Sequence, residues 1–534
     1  LKPSWLQGHV ALISIQHRPS GLFMRSGISV QWFLPLALST LASASRSMLA
    51  AAAAVAGAVA ASAAHEWADA IALIQTRASV SQPFMPSVSM LDLRAAAMAR
   101  GPAHPQTMIN FGDAQYISYL RIGKQILAGM LDTGSFELVV FGNDCRTCGV
   151  AAHYNPSLSA TFRAGRLVAQ QSFGSGSCYS TASADILQIG PFSETRQSFW
   201  TVQKANMPTL ADAAFEVIIG LGPPEAPSSD AWKAVTSVIL NITSYYDVAQ
   251  RAPEWLMKQV DKRLEIADEM SVKTTLLNNF EVNTFSICLG PVPRSNGVVV
   301  WNDVAFLSQS DLFTQVPVTR QHTWSANLTN PTLEVRDGSA QNTSRGANGT
   351  SDLGCTAGSP CSAILDSGMS LIAAPRPVID RLREAMSKLE PDCSNVDTLP
   401  HLVFELGGQT FSLPPDAYVA EVDGGMPDHL ASLISFDSGS ACQLLLLESN
   451  AVTERGPLWI LGMPFFRKYY TTFHLGSTRE ERSFFIAEAG QDCSPASPGE
   501  EQQERRSLVR RVNLHKVHLP QTAQIAMKEQ FAHL

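Results

Sequence analysis

Charge is the first thing this chain has little of. Only 16% of its 534 residues are Asp, Glu, Lys or Arg, and the acidic ones prevail, for a net charge of −8. That excludes a polybasic nucleic-acid footprint, and nucleic acid is not expected as a partner. A mild acidic excess is in the first place a solubility feature, and it shrinks in acid as carboxylates protonate. Long apolar runs are missing too. The two near the start, 32–41 and 48–64, are short for a membrane-spanning helix, and the second is mostly Ala. No nucleophile-elbow pattern occurs and no motif sets a His beside a Cys, which argues against a serine or cysteine hydrolase. Cys145 and Cys148 have no second pair at zinc spacing. A local disulfide therefore suits them better than a metal or redox site, and no metal is expected.

What is present is an apolar-rich chain. Hydrophobic residues make up 45% of it, which suits a β-rich globular protein, and the length permits two or three domains with ample core. Two short stretches match each other. Leu131-Asp132-Thr133-Gly134-Ser135 follows the apolar run that starts at Ile126. Leu365-Asp366-Ser367-Gly368-Met369-Ser370 follows Ala363 to Leu365. An apolar run reads as a buried strand and Gly allows a sharp turn at its end. Each stretch thus presents a carboxylate on a tight turn, propped by hydroxyls. Paired carboxylates sharing one proton can activate water and polarise a carbonyl together, because like charges at close range do not both ionise.

From Met108 to Gly490 the chain resembles the pepsin-like aspartic proteases. Besides the two Asp stretches, 173–177 (Phe-Gly-Ser-Gly-Ser) resembles the tip of the flap hairpin. The segments 215–222 and 459–462 resemble the apolar-apolar-Gly strands that support the catalytic loops. Segments 399–404, 413–418 and 465–473 match the second lobe and its end, all in family order. The resemblance implies an all-β, bilobal pepsin-like acid protease fold with the active-site cleft between two β-lobes. It implies an aspartic endopeptidase without cofactor, acting on extended polypeptide at acid pH, and acting as a monomer. Asp132 and Asp366 are its expected catalytic pair. Which of them carries the proton stays open. Thr133, Gly134, Ser135, Ser367 and Gly368 are the expected loop supports, and Phe173, Gly174 and Ser175 the expected substrate contacts from the flap. Disulfides Cys145–Cys148, Cys355–Cys361 and Cys393–Cys442 are implied as well. Cys178, Cys288 and Cys493 remain, with a Cys178–Cys288 bridge one arrangement among others.

Three residues depart from the family. Phe173 stands where the flap usually has Tyr, and Val139 where a Trp usually meets that Tyr. Losing both together strands no polar group, so apolar packing is expected to hold the flap. Met369 replaces a hydroxyl residue beside Asp366, whereas Ser135 keeps that role beside Asp132. These departures leave a second reading, an inactive homologue that binds peptides.

The rest of the chain divides by composition. Residues 1–64 read as a leader, either a cleaved signal or a retained signal anchor. Only the anchor would attach the chain to a membrane. Residues 65–107 read as a propeptide, but with few basic residues (Arg77, Arg94, Arg100) to cover an acidic cleft. The expected lobes are 108–296, with a helical insertion near 225–275, and 297–490, with a polar exposed insertion near 325–360. Sequons at Asn241, Asn327, Asn342 and Asn348 fit a glycosylated chain of the secretory pathway, destined for the outside or for a lysosome- or vacuole-like acidic compartment. The tail, 491–534, leaves the protease pattern. Its segment 508–517 (Leu-Val-Arg-Arg-Val-Asn-Leu-His-Lys-Val) resembles the basic beginning of a family propeptide, at the wrong end of the chain. Two readings stand side by side: a second protease unit follows in the gene, or the segment is an exposed basic tail or helix.

Overall fold

The structure is a computed structural model. It describes residues 102–225, 235, 253–272, 274–335, 355–387, 389–423, 425–431, 433–434, 440–496 and 509–527. The leader, nearly all of the propeptide reading, and the sequons at Asn241, Asn342 and Asn348 lie outside those residues. No helix among the described residues is long and apolar enough to cross a membrane.

Among the described residues two large mixed sheets dominate, of 13 and 8 strands. One end of the larger sheet joins strands from both halves of the chain. Thr314–Pro317, Ser483–Glu488, Tyr469–His474, Thr284–Cys288, Gly297–Trp301 and His104–Phe111 lie there in that order. This shared sheet is closed by aromatic packing: Phe285 stacks on Phe473 at 4.8 Å, and Trp324 meets Phe473 edge-on at 5.2 Å. His104–Phe111 pairs with Gly297–Trp301, so the last residues of the stretch read as propeptide, from His104 on, belong to the sheet. Gly297–Trp301, read as opening the second lobe, belongs to the shared sheet.

The two Asp strands repeat one arrangement. Gln125–Asp132 lies parallel to Val217–Gly220, with Asp132 opposite Gly220. Cys361–Leu365 lies parallel to Gly456–Leu461, with Leu365 opposite Leu461. Each supporting strand is flanked on its other side by an antiparallel strand, Leu138–Phe141 in one lobe and Ile372–Pro375 in the other. These strands are buried on both faces, which is why they read as unbroken apolar runs rather than as alternating ones.

The flap is a long hairpin of Arg163–Phe173 and Gly176–Ile189, joined through Gly174 and Ser175. Its second strand starts at Gly176. Gly176 sits at φ +135°, and a Cβ there would collide with the carbonyl of Asn206. Phe173 and Val139 are both buried in one apolar cluster with Met207, Phe215 and Ile218. Apolar packing stands where a phenol–indole hydrogen bond was missed.

Two expectations need correction. The polar insertion does not begin at Ser325: Ser325–Glu334 is a strand inside the second sheet, between Cys361–Leu365 and His401–Leu406. Its Ser, Ala and Thr residues carry little hydrophobic signal, yet Ser325, Ala326 and Leu328 are buried because the sheet closes over them. Asn327 lies on this strand, with its side chain near Arg455. Second, the basic segment of the tail is not a free arm: Arg510–Asn513 adds in parallel to Val419–Asp423 in a three-stranded sheet.

Of the helical insertion the structure describes Glu254–Val272, whose spacing of Leu256, Val260 and Leu264 brings Val260 into the interior.

The disulfides are Cys145–Cys148, Cys355–Cys361, Cys393–Cys442 and Cys288–Cys493. The last closes a separation of 205 residues and rules out a Cys178–Cys288 bridge. Cys178 is a buried thiol on the second flap strand, its pKa pushed up to about 12 by burial and then by the charge of Glu137. Such a thiol is not a nucleophile.

Candidate active site

Each Asp stands where a buried strand ends in a turn, and the turn's own backbone holds the carboxylate. Gly134 N–H donates to Asp132 Oδ1 and Gly368 N–H to Asp366 Oδ1, both at 2.9 Å. The chain then turns against its supporting strand: Leu221 N–H donates to the Asp132 carbonyl at 2.8 Å, and Asp366 N–H to the Leu461 carbonyl at 3.0 Å.

The two turns are tied across the lobes by their hydroxyls. Thr133 Oγ1 donates to the Leu365 carbonyl and accepts from Ser367 N–H, both at 2.9 Å. Ser367 Oγ donates to the Leu131 carbonyl at 2.8 Å and accepts from Thr133 N–H at 3.2 Å. Four hydrogen bonds thus join segments more than 230 residues apart, each fully buried and so costly to leave unmade. A fifth link, from Trp324 Nε1 to the Leu221 carbonyl at 2.7 Å, buttresses the same junction.

Gly134 and Gly368 set the spacing between the carboxylates. A Cβ on Gly134 would overlap the Asp366 carboxylate, and one on Gly368 would come within 2.6 Å of Asp132 Oδ1. Each carboxylate therefore lies directly against the other loop's backbone. Both are fully buried.

Their electrostatics follow from that burial. Desolvation raises the pKa of Asp132, opposed by hydrogen bonds from Ser135 Oγ, at 2.7 Å, and from the loop. Asp366 is raised further, by burial first and then by the charge of Asp132. Burial and mutual charge thus push both carboxyls upward, Asp366 the further of the two.

The two carboxylates also differ in what their own loops supply. Asp132 has the hydroxyl of Ser135, whereas the matching position beside Asp366 is Met369, whose side chain is buried in apolar surroundings. Met369 contributes only its backbone N–H, at 3.2 Å from Asp366 Oδ1. We expect Met369→Thr to stabilise the ionised form of Asp366 and lower its pKa. The alkaline limb of a pH–rate profile would then move to lower pH, and an unmoved limb would show that a hydroxyl at this loop position does not set the Asp366 pKa.

Of the flap residues singled out in the sequence, Phe173 is buried with its ring facing the cleft, and the Gly174 and Ser175 backbone N–H groups point down into it. Sequence reasoning missed what they meet. The carbonyls of Pro520 and Leu519 accept from Gly174 N–H and Ser175 N–H, each at 2.9 Å. Leu519 N–H donates to Ser175 Oγ at 2.8 Å. Ser370 on the second Asp loop exchanges two bonds with His518, at 3.1 and 2.8 Å. Thr522 donates its hydroxyl to Asp366 Oδ2. Their only sequence signal was the misplaced basic segment 508–517.

A β-rich body of two lobes, a flap, and two mutually buried carboxylates held by cross-bonded hydroxyls define the pepsin-like acid proteases. The chain belongs to the eukaryotic aspartyl proteases, whose family model matches residues 115–481. It is 26% identical to pepsin A of Bos taurus over 385 residues, covering 70% of this chain and 85% of that protein. It is also 26% identical to pepsin-3 of Oryctolagus cuniculus over 379 residues, covering 69% and 80%. Such relatives, with four disulfides in this chain, fit the oxidising secretory pathway.

Proposed function

We propose that this protein is an aspartic endopeptidase that hydrolyses extended polypeptides in acid. The observation that carries the reading is the buried Asp132–Asp366 pair, with its pKa values pushed up and apart by burial and mutual charge. Asp132, ionised and steadied by Ser135, takes a proton from a water as general base. Asp366, protonated, donates to the scissile carbonyl oxygen. The water oxygen then bonds to the carbonyl carbon, and the proton gained by Asp132 passes to the leaving nitrogen as the C–N bond breaks. The flap's Gly174 and Ser175 N–H groups and the Ser370 region offer backbone partners to an extended peptide, which the cleft takes much as a sheet takes another strand. The acid optimum this implies suits an extracellular or lysosome-like acidic setting.

The test is cleavage of an unfolded protein substrate between pH 3 and 7, with and without pepstatin. Acid-favoured cleavage blocked by pepstatin is expected. Tight pepstatin binding without cleavage at any pH would instead make the chain a peptide-binding homologue.

A further inference from the structure

We propose that the cleft's resident ligand is the chain's own segment 509–527, an intramolecular inhibitor seated between the flap and the catalytic loops and released by acid. This rests on the reading of the cleft as a peptidase site.

The geometry shows a segment built into the cleft from end to end. Arg510–Asn513 is a strand of a sheet with Val419–Asp423. Arg510 forms a buried ion pair with Asp113 at 2.9 Å, the two side chains 4% and 0% exposed. It also donates to the carbonyls of Gly290 and Pro291. Lys516 donates to the Asp212 carbonyl, and its own carbonyl accepts from Gln115 Nε2. His518 and Leu519 then run between Ser370 below and Ser175 above, and Thr522 reaches Asp366. The helix Gln521–Ala526 ends with the Ala526 carbonyl accepting from Asn450 and Ala451 N–H. Leu519 and Ala523 fill the space against Gly174 at the flap tip. A substrate needs these same donors and the same carboxylate, so the two exclude each other.

Thr522 makes the segment an inhibitor rather than a bound substrate. The partner of the catalytic carboxyl is a side-chain hydroxyl at the start of a helix, not a carbonyl of extended chain. That hydroxyl occupies the Asp366 oxygen that Met369 leaves without one.

His518 supplies the release. Its ring lies between Phe173 of the flap and Phe215, 6.1 and 5.5 Å away centroid to centroid, with neither ring nitrogen hydrogen-bonded. Phe173, Phe215 and Ser370 around it do not titrate. The charged groups on the rest of the seat are Asp113 and Glu421, paired with Arg510 and Arg511, Asp416 and Arg467 near Arg510, Glu137 on Gln521, Asp366 on Thr522, and His429 beside His515. Burial alone pushes the His518 pKa down to about 3 from an ordinary 6.5. Seated, His518 stays neutral; released, it takes a proton below pH 6.5. Seating is therefore strongest above pH 6.5 and weakens about tenfold per pH unit as the pH falls toward 3.

The test uses the full chain with a site for a sequence-specific protease placed between residues 499 and 500. Accessibility is read by binding of a fluorescent pepstatin-type peptide, and hydrolysis is read separately. At pH 6.5 the uncut chain should bind the probe at least about 100-fold more weakly than chain that has been cut and acid-stripped. A synthetic peptide of residues 508–528 should restore the exclusion. Between pH 6.5 and 4.5 that peptide should lose about 100-fold in affinity, whereas a peptide carrying His518→Leu, whose folding is not at issue, should lose far less. Equal probe binding by cut and uncut chain overturns the inhibitor, and parallel pH courses of the two peptides overturn the acid trigger. Exclusion relieved by cutting, with no hydrolysis afterwards, leaves occlusion standing and sinks the peptidase reading instead.

Discussion

Asp132→Asn and Asp366→Asn should each lower kcat/KM for peptide hydrolysis by at least about 10^4-fold while leaving the fold intact. Both substitutions preserve shape and the loop hydrogen bonds to the Gly134 and Gly368 N–H groups, because the amide oxygen accepts as the carboxylate did. What they remove is the shared proton. With Asn at 132 no base remains to take the proton from water. With Asn at 366 the pair has no acid for the carbonyl. Neither loss can be made good nearby, since the adjoining groups, Ser135 and Thr522, are hydroxyls that do not titrate in this pH range. Gly134→Ala is the steric companion: its methyl group overlaps the Asp366 carboxylate. Displacing that carboxylate by an ångström costs about 10^2-fold through geometry alone. The check is kcat/KM on one substrate, with melting temperature measured alongside. Wild-type activity in either Asn variant would end the two-carboxylate mechanism for this chain.

Arg510→Gln should open the cleft at neutral pH. A buried ion pair broken on one side costs about 3–5 kcal/mol, because the remaining charge keeps its desolvation penalty and loses its partner. Here the remaining charge is Asp113, fully buried and otherwise held by Asn110 and the Arg294 N–H. Much of that penalty is relieved when the tail leaves and water reaches Asp113. It therefore acts on the seating of the tail more than on the lobes. The expected result is probe binding at pH 6.5 stronger by about 10^2-fold or more than in the unaltered chain. An unchanged probe affinity would show that the tail does not depend on this anchor. Asp113→Asn should act in the same direction, because Arg510 then lies buried without its directly paired carboxylate.

The parts of the site that could be read from the chain are the local ones. Asp132 and Asp366 each sit in a run of a few residues whose physics is self-contained: a doubly buried strand, a Gly turn, and a hydroxyl next door. The supporting segments 215–222 and 459–462 were visible through the family resemblance, and the short Cys145–Cys148 loop through its spacing. Composition misled where a residue's neighbours outweigh its type. Ser325–Glu334 reads as polar loop, yet it lies between two strands that bury its small side chains.

The amino-acid sequence by itself determined the class of fold, the two carboxylates and the hydroxyls beside them, because those depend on short-range pattern. Only the tertiary structure decided how the pair shares burial and charge, which cysteines meet across 205 residues, and where the basic segment near the end of the chain goes. Thr522 and Asp366 are 156 residues apart, and Leu519 and Ser175 are 344 apart. Nothing in a local window distinguishes a basic tail in solvent from one that completes a sheet and runs between Ser175 and Ser370. That choice is made by the shape and charge of a cleft that exists only once both lobes have folded.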